Sequence, residues 1–84
     1  MDRPSLQNCK VSDVRGALIR LDARFEITGG GRHNFKIKHP LLTYPFPLPN
    51  REPINRNVVK DIVDDILIRL LKIPEEKVYK ELWC

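Results

Sequence analysis

Cysteine, histidine and tryptophan are scarce in this chain: two Cys, two His and one Trp in 84 residues. Cys9 and Cys84 stand near opposite ends and form no Cys-x-x-Cys, and with only His33 and His39 beside them the spacing gives no zinc pattern. No apolar run approaches the ~18 residues of a membrane helix. The first residues, Met1-Asp2-Arg3-Pro4, lack the apolar stretch of a secretory signal. The expected compartment is therefore the cytoplasm, whose reducing poise disfavours a disulfide between the two cysteines. A mass of 9.8 kDa excludes a barrel enzyme, a doubly wound sheet or two domains. Folding would bury about 64% of the chain's surface, enough for one modest two-layer core.

What is present is a foldable, basic composition. Hydrophobic residues make up 42% and charged residues 31%, which sets the chain apart from disordered sequences. The net charge of +4 is uneven. Residues 1–56 carry ten Lys or Arg against five acids, whereas residues 57–84 carry five against six. A basic body with a near-neutral tail suits a polyanionic partner on one face, though an ordinary solvated surface has the same arithmetic.

Periodicity divides the chain into elements. Residues 1–11 read as an N-terminal arm, 12–73 as the core and 74–84 as a short C-terminal helix, all in one domain. Ser12 is a plausible N-cap, with Asp13 in the first turn. Val14, Ala17, Leu18 and Leu21 then recur at helical spacing, predicting an amphipathic helix to about Ala23. Gly16 interrupts it at a propensity cost of up to ~1 kcal/mol, and suits a close approach. The period switches to two at Phe25 and Ile27, passes through Gly29-Gly30-Gly31, and resumes at Phe35 and Ile37, which predicts a hairpin. His39-Pro40 ends its second strand.

Tyr44, Phe46 and Leu48 alternate with Pro45 and Pro47. Proline cannot donate to a ladder, so this is either an edge strand, with its apolar residues in the core, or a polyproline-II segment that docks on a partner. Asn55 or Asn57 can cap a helix whose buried stripe is Val58 or Val59, Ile62, Ile66 and Leu70. Pro74, Glu75 and Glu76 start the last helix, packed down by Val78, Leu82 and Trp83. Cys84 reads as a frayed terminus. The expected class is α+β: a two-layer sandwich of order α-β-β-β-α-α with a three-stranded antiparallel sheet.

The chemistry-bearing residues cluster at the glycine turn. His33 follows it directly, and histidine titrates near neutrality, as proton transfer at a ribose 2′-hydroxyl or a leaving 5′-oxygen requires. Gly31 lets backbone approach a phosphate, and Arg32, Lys36 and Lys38 supply phosphate contacts. Lys36 and Lys38 should share the strand face opposite Phe35 and Ile37. His39, six residues on and up to ~20 Å away, reads as a turn residue rather than a second catalytic group. Asp61, Asp64 and Asp65 read as a solvated helix face.

The order of these motifs resembles the HicA toxins, small mRNA interferases of toxin–antitoxin pairs. Gly31-Arg32-His33 is similar to that family's Gly-Ser-His turn, with Arg32 at the Ser position. Phe35, His39-Pro40, the stretch Thr43 to Pro49, Pro53-Ile54, the helix from Asn57 and Ile73-Pro74-Glu75-Glu76 follow in matching order over residues 12–83. The resemblance implies a fold like the double-stranded-RNA-binding domain and metal-free mRNA cleavage by His33, without a cofactor. It also implies neutralisation by a HicB-like antitoxin, and no membrane partner.

Overall fold

The computed structural model describes residues 5–29 and 33–84. The chain runs through helix α1 (Val11–Leu21), strands β1 (Glu26–Gly29), β2 (Phe35–Lys38) and β3 (Phe46–Leu48), helix α2 (Arg56–Asp61) with its continuation Ile62–Leu70, and helix α3 (Glu75–Glu81). The three strands form an antiparallel sheet in the order β1-β2-β3. This is the α+β order read from the periodicity.

The sheet is built by alternation. Ile27, Ile37 and Phe46 stand opposite one another across the three strands, and Phe35 is opposite Leu48. Ile37 and Leu48 are fully buried in a core shared with Val14, Leu18, Ile54, Val59, Ile62, Leu67 and Val78. Between them Glu26, Lys36, Lys38 and Pro47 are exposed and Thr28 is half-buried, which makes the outer face. Pro47 sits opposite Lys36. Proline has no N–H, so the β2–β3 ladder falls to Phe46 and Leu48, and the backbone at position 47 faces away from β2. The proline-bearing segment is thus an edge strand.

Helix α1 begins two residues earlier than an N-cap at Ser12 implies. Lys10 is the N-cap, and the Asp13 carboxylate accepts from the Lys10 N–H at 3.0 Å, satisfying one donor at the helix start. Asp22 closes the helix, its N–H reaching the Leu18 carbonyl at 2.9 Å. At Gly16 the near neighbour is the tip of the flexible Arg20 side chain. A Cβ there would lie 2.9 Å from an Arg20 guanidinium nitrogen, and Arg20 crosses to α3 to pair with Glu81 at 2.7 Å.

The second helix departs from an α-helical repeat. Asn55 is its N-cap, accepting from the Asn57 N–H at 2.8 Å. From Ile62 to Leu70 the turn widens to i→i+5 bonding, and the Leu71 N–H reaches the Ile66 carbonyl. The wider turn keeps Ile62, Val63, Ile66 and Leu67 in the core with Leu71 packed against it and turns Leu70 outward, so Leu70 leaves the expected stripe. Lys72, at φ 56°, reverses the chain in the left-handed region.

Three other expectations are corrected. Tyr44 is not core: it precedes the strand proper and is 80% exposed. Trp83 is not a lid: α3 ends at Glu81, and beyond its extended C-cap Leu82 the indole is 64% exposed. Cys84 is neither frayed nor unpaired. It is disulfide-bonded to Cys9, with Cα atoms 5.0 Å apart, because the packing of α1 against α3 brings the two ends together. The Leu6 N–H donates to the Cys84 carbonyl at 2.7 Å and the Ile54 N–H to the Cys9 carbonyl at 2.8 Å. Residues 6 and 9 of the arm are buried, so this part of the arm belongs to the core. No helix among the described residues is long and apolar enough to cross a membrane.

Candidate nucleic-acid interface

The hairpin between β1 and β2 sets the site. Gly29 adopts φ 94°, and a Cβ there would approach the Asn34 carbonyl oxygen to 2.8 Å. Only glycine fits the turn at that point. Gly31 and Arg32, two of the expected phosphate-binding residues, lie outside the described residues. His33 and Asn34 are exposed where the chain re-enters β2. An imidazole in that place is open to a substrate from solvent.

Lys36 and Lys38 extend from the same strand onto the outer face of the sheet. Lys36 has Thr28 and Pro47 as its cross-strand neighbours, so no acid opposes it in the ladder. Lys38 is opposite Glu26. Lys36 and Lys38 share the outer face of β2 with one cross-strand carboxylate, Glu26, which gives a positive patch for phosphates, and exposed His33 precedes the strand by two residues.

The far end of β2 holds a polar network that the sequence reading did not find. His39 is buried, its side chain shielded completely. Its Nδ1 accepts from the Leu41 N–H at 3.1 Å, which leaves the ring proton on Nε2 to be donated to Asp22 Oδ2 at 3.0 Å. Arg24 completes the set with donors to both Asp22 oxygens, the shortest at 2.8 Å, and its backbone N–H donates to Oδ1 at 2.9 Å. The Arg24 side chain and backbone, and then His39, hold the Asp22 carboxyl well below the usual carboxylate range. The same pairing strengthens the hold of Arg24 on its proton. The Phe25 ring packs against the imidazole, with centroids 4.6 Å apart.

Both nitrogens of His39 are therefore engaged, and the ring has no access to solvent. It ties the end of β2 to the end of α1, and its carbonyl accepts from the Leu42 N–H at 2.9 Å to close a turn. His39 is a turn residue, as its place before Pro40 suggested. The signal for its partner was an Asp at a helix end two residues before an Arg, an ordinary Asx-turn pattern with nothing to mark a histidine seventeen residues away. Among the described residues no three His, Cys, Asp or Glu side chains gather as a metal-binding set.

The chain matches no protein-family model, no curated protein and no solved structure. The resemblance to HicA toxins therefore rests on the order of short sequence motifs alone.

Proposed function

We propose that this chain is a HicA-like mRNA interferase, a metal-independent endoribonuclease that uses His33 as its proton-transfer group. The observation that carries the reading is the exposure of His33, two residues before the strand that bears Lys36 and Lys38. His39 takes no part in proton transfer, because both of its nitrogens are bonded within the fold.

The chemistry is transphosphorylation. His33, neutral, removes the proton from a ribose 2′-hydroxyl, whose oxygen attacks the adjacent phosphorus. The bond from phosphorus to the 5′-oxygen breaks, and the proton is returned to that leaving oxygen. The products are a 2′,3′-cyclic phosphate and a 5′-hydroxyl end. Arg32 or Lys36 supplies positive charge for the phosphorane, which gathers negative charge as the attack proceeds, and Lys38, farther along β2, meets a phosphate beyond the reacting one. One well-placed acid–base group contributes about 10²–10⁴-fold. An acidic, HicB-like antitoxin fits the same basic face as an inhibitor, since it would compete with RNA for His33 and the lysines. The reaction belongs in the cytoplasm with its substrate, where the Cys9–Cys84 bond has to withstand a reducing poise.

The test is cleavage of a labelled mRNA in EDTA by the intact chain and by His33→Ala prepared alongside it. The expected result is cutting by the parent and a loss of at least about 100-fold in the variant, with RNA binding retained. A second reading has its own support, because one exposed histidine supplies one acid–base group where phosphodiester cleavage uses two. On that reading the chain is a non-catalytic RNA-binding module. Binding that falls steeply with salt in both proteins, with no cleavage by either, would establish it in place of the nuclease.

A further inference from the structure

The loop between β2 and β3 exposes more apolar surface than a small fold needs to. Tyr44 is 80% and Leu41 49% exposed, within a segment that also carries Pro40 and Pro45. The loop is nevertheless tethered. The Leu41 N–H is bonded to His39 Nδ1, the Leu42 N–H to the His39 carbonyl, and His39 is itself fixed to Asp22. A buried polar network thus holds in place a loop whose large side chains face water. Exposed apolar groups on a fixed loop mark a contact surface.

The charges around the loop indicate what the surface meets. Arg24 and Lys38 are both exposed, Arg24 bonded to the same Asp22 that anchors His39 and Lys38 immediately preceding His39. Glu26, opposite Lys38, and Asp22 are the acids beside them. Lys36 lies two residues before Lys38 on the same outer face of β2. Aromatic surface interleaved with cations is the pattern for single-stranded nucleic acid, whose unpaired bases stack on a ring while its phosphates meet Lys and Arg. A duplex keeps its bases stacked on one another and has none to offer such a ring.

We propose that Tyr44, with Arg24 and Lys38, forms a base-stacking subsite for single-stranded RNA at the end of β2 remote from His33. The proposal rests on the reading of the chain as an RNA-binding nuclease and extends its substrate site. His33 and His39 are six residues apart, up to ~20 Å of extended chain, so several nucleotides run along Lys36 and Lys38 between the reacting phosphate and the tyrosine. The subsite makes the protein select unpaired RNA, because a substrate must lay a free base on Tyr44 while it presents a phosphate to His33.

The experiment uses the full chain carrying His33→Ala, so that RNA survives, and reads the fluorescence anisotropy of a labelled unstructured 12-nucleotide RNA and of a 12-base-pair RNA duplex. Tyr44→Ala should weaken the single strand about tenfold, Tyr44→Phe should restore it, and the duplex should not respond. Lys38→Gln should lower the slope of log affinity against log salt by about 0.7. Equal affinity of Tyr44→Ala and its parent for the single strand would overturn the subsite and assign the loop to a protein contact. An equal loss on the duplex would overturn it too. The nuclease reading fails separately: an intact chain that cuts nothing, yet loses single-strand affinity on Tyr44→Ala, keeps the subsite without the catalysis. His33-dependent cutting with no effect of Tyr44→Ala does the reverse. An absence of RNA binding in every protein removes both.

Discussion

Asp22 is the residue on which most of the local polar structure converges. It caps α1, receives both side-chain and backbone donors of Arg24, and accepts a hydrogen bond from the Nε2–H of buried His39. Asp22→Ala leaves that N–H buried without an acceptor, and an unsatisfied buried donor costs about 1–3 kcal/mol. Urea unfolding at neutral pH should show the variant less stable by that amount, whereas Asp22→Asn, which keeps an acceptor, should lose less. The pH dependence has a definite sign. The folded pKa of Asp22 is depressed from its ordinary 3.8, so the ionised carboxylate contributes stability that is full above that value and is lost as the pH falls below it. The stability gap between the parent and Asp22→Asn should therefore narrow in acid. A gap that stayed constant from neutral pH down through the carboxylate range would show that Asp22 acts by packing alone. At this scale the outward face of Lys36 and Lys38 was legible from alternation, and the register places both lysines on the outer face. The Asp22–His39 bond joins residues far apart in the chain, and no local pattern encodes which carboxylate a histidine will meet. Tyr44 was hidden for a different reason. Its alternation with Phe46 and Leu48 is that of a buried strand residue, but the strand stops before reaching it.

Among the elements, the strands and the first helix were legible because one face of each is apolar and period alone fixes which. The proline-rich segment was legible as an edge for a chemical reason, the missing donor at Pro47. The widened turn at Ile62–Leu70 was not legible. The positions 62, 63, 66, 67 and 70 satisfy a 3.6-residue repeat as well as they satisfy a longer one, and the two differ mainly in where Leu70 points. That difference is measurable. Leu67 is fully buried, whereas Leu70 stands at the surface, 37% exposed. Leu67→Ala should cost about 2–5 kcal/mol in equilibrium unfolding, the range for a buried leucine. Leu70→Ala should cost within about 1 kcal/mol, as surface substitutions do. Comparable losses at the two positions would mean that the segment keeps an α-helical repeat and that Leu70 belongs to the stripe after all.

At the scale of the whole molecule, the fold is closed on itself by its ends. A chain of this size has little core with which to oppose its conformational entropy, and small domains commonly add a covalent tie. Here the tie spans a sequence separation of 75, which in the chain-entropy model restricts the unfolded state by about 4.5 kcal/mol. The bond is supported by Leu6 and Ile54, whose N–H groups reach the carbonyls of Cys84 and Cys9, and by the Arg20–Glu81 pair that joins α1 to α3. Sequence spacing could not disclose it, since two cysteines at opposite ends are equally compatible with pairing and with isolation until the helices beside them are packed. Because the tie acts mainly on the unfolded chain, its loss should leave the fold in place and lower its stability. Reduction of the parent, or Cys84→Ser, should cost about 2–4 kcal/mol in urea unfolding while the far-ultraviolet dichroism of the native state is unchanged. The control is internal: Cys84→Ser should be indifferent to added thiol, and the reduced parent should fall to the stability of the variant. If thiol leaves the parent as stable as before, with the bond shown by mass to be broken, the hydrogen bonds and the helix packing hold the ends together by themselves. The fold would then be equally suited to a reducing compartment and an oxidising one.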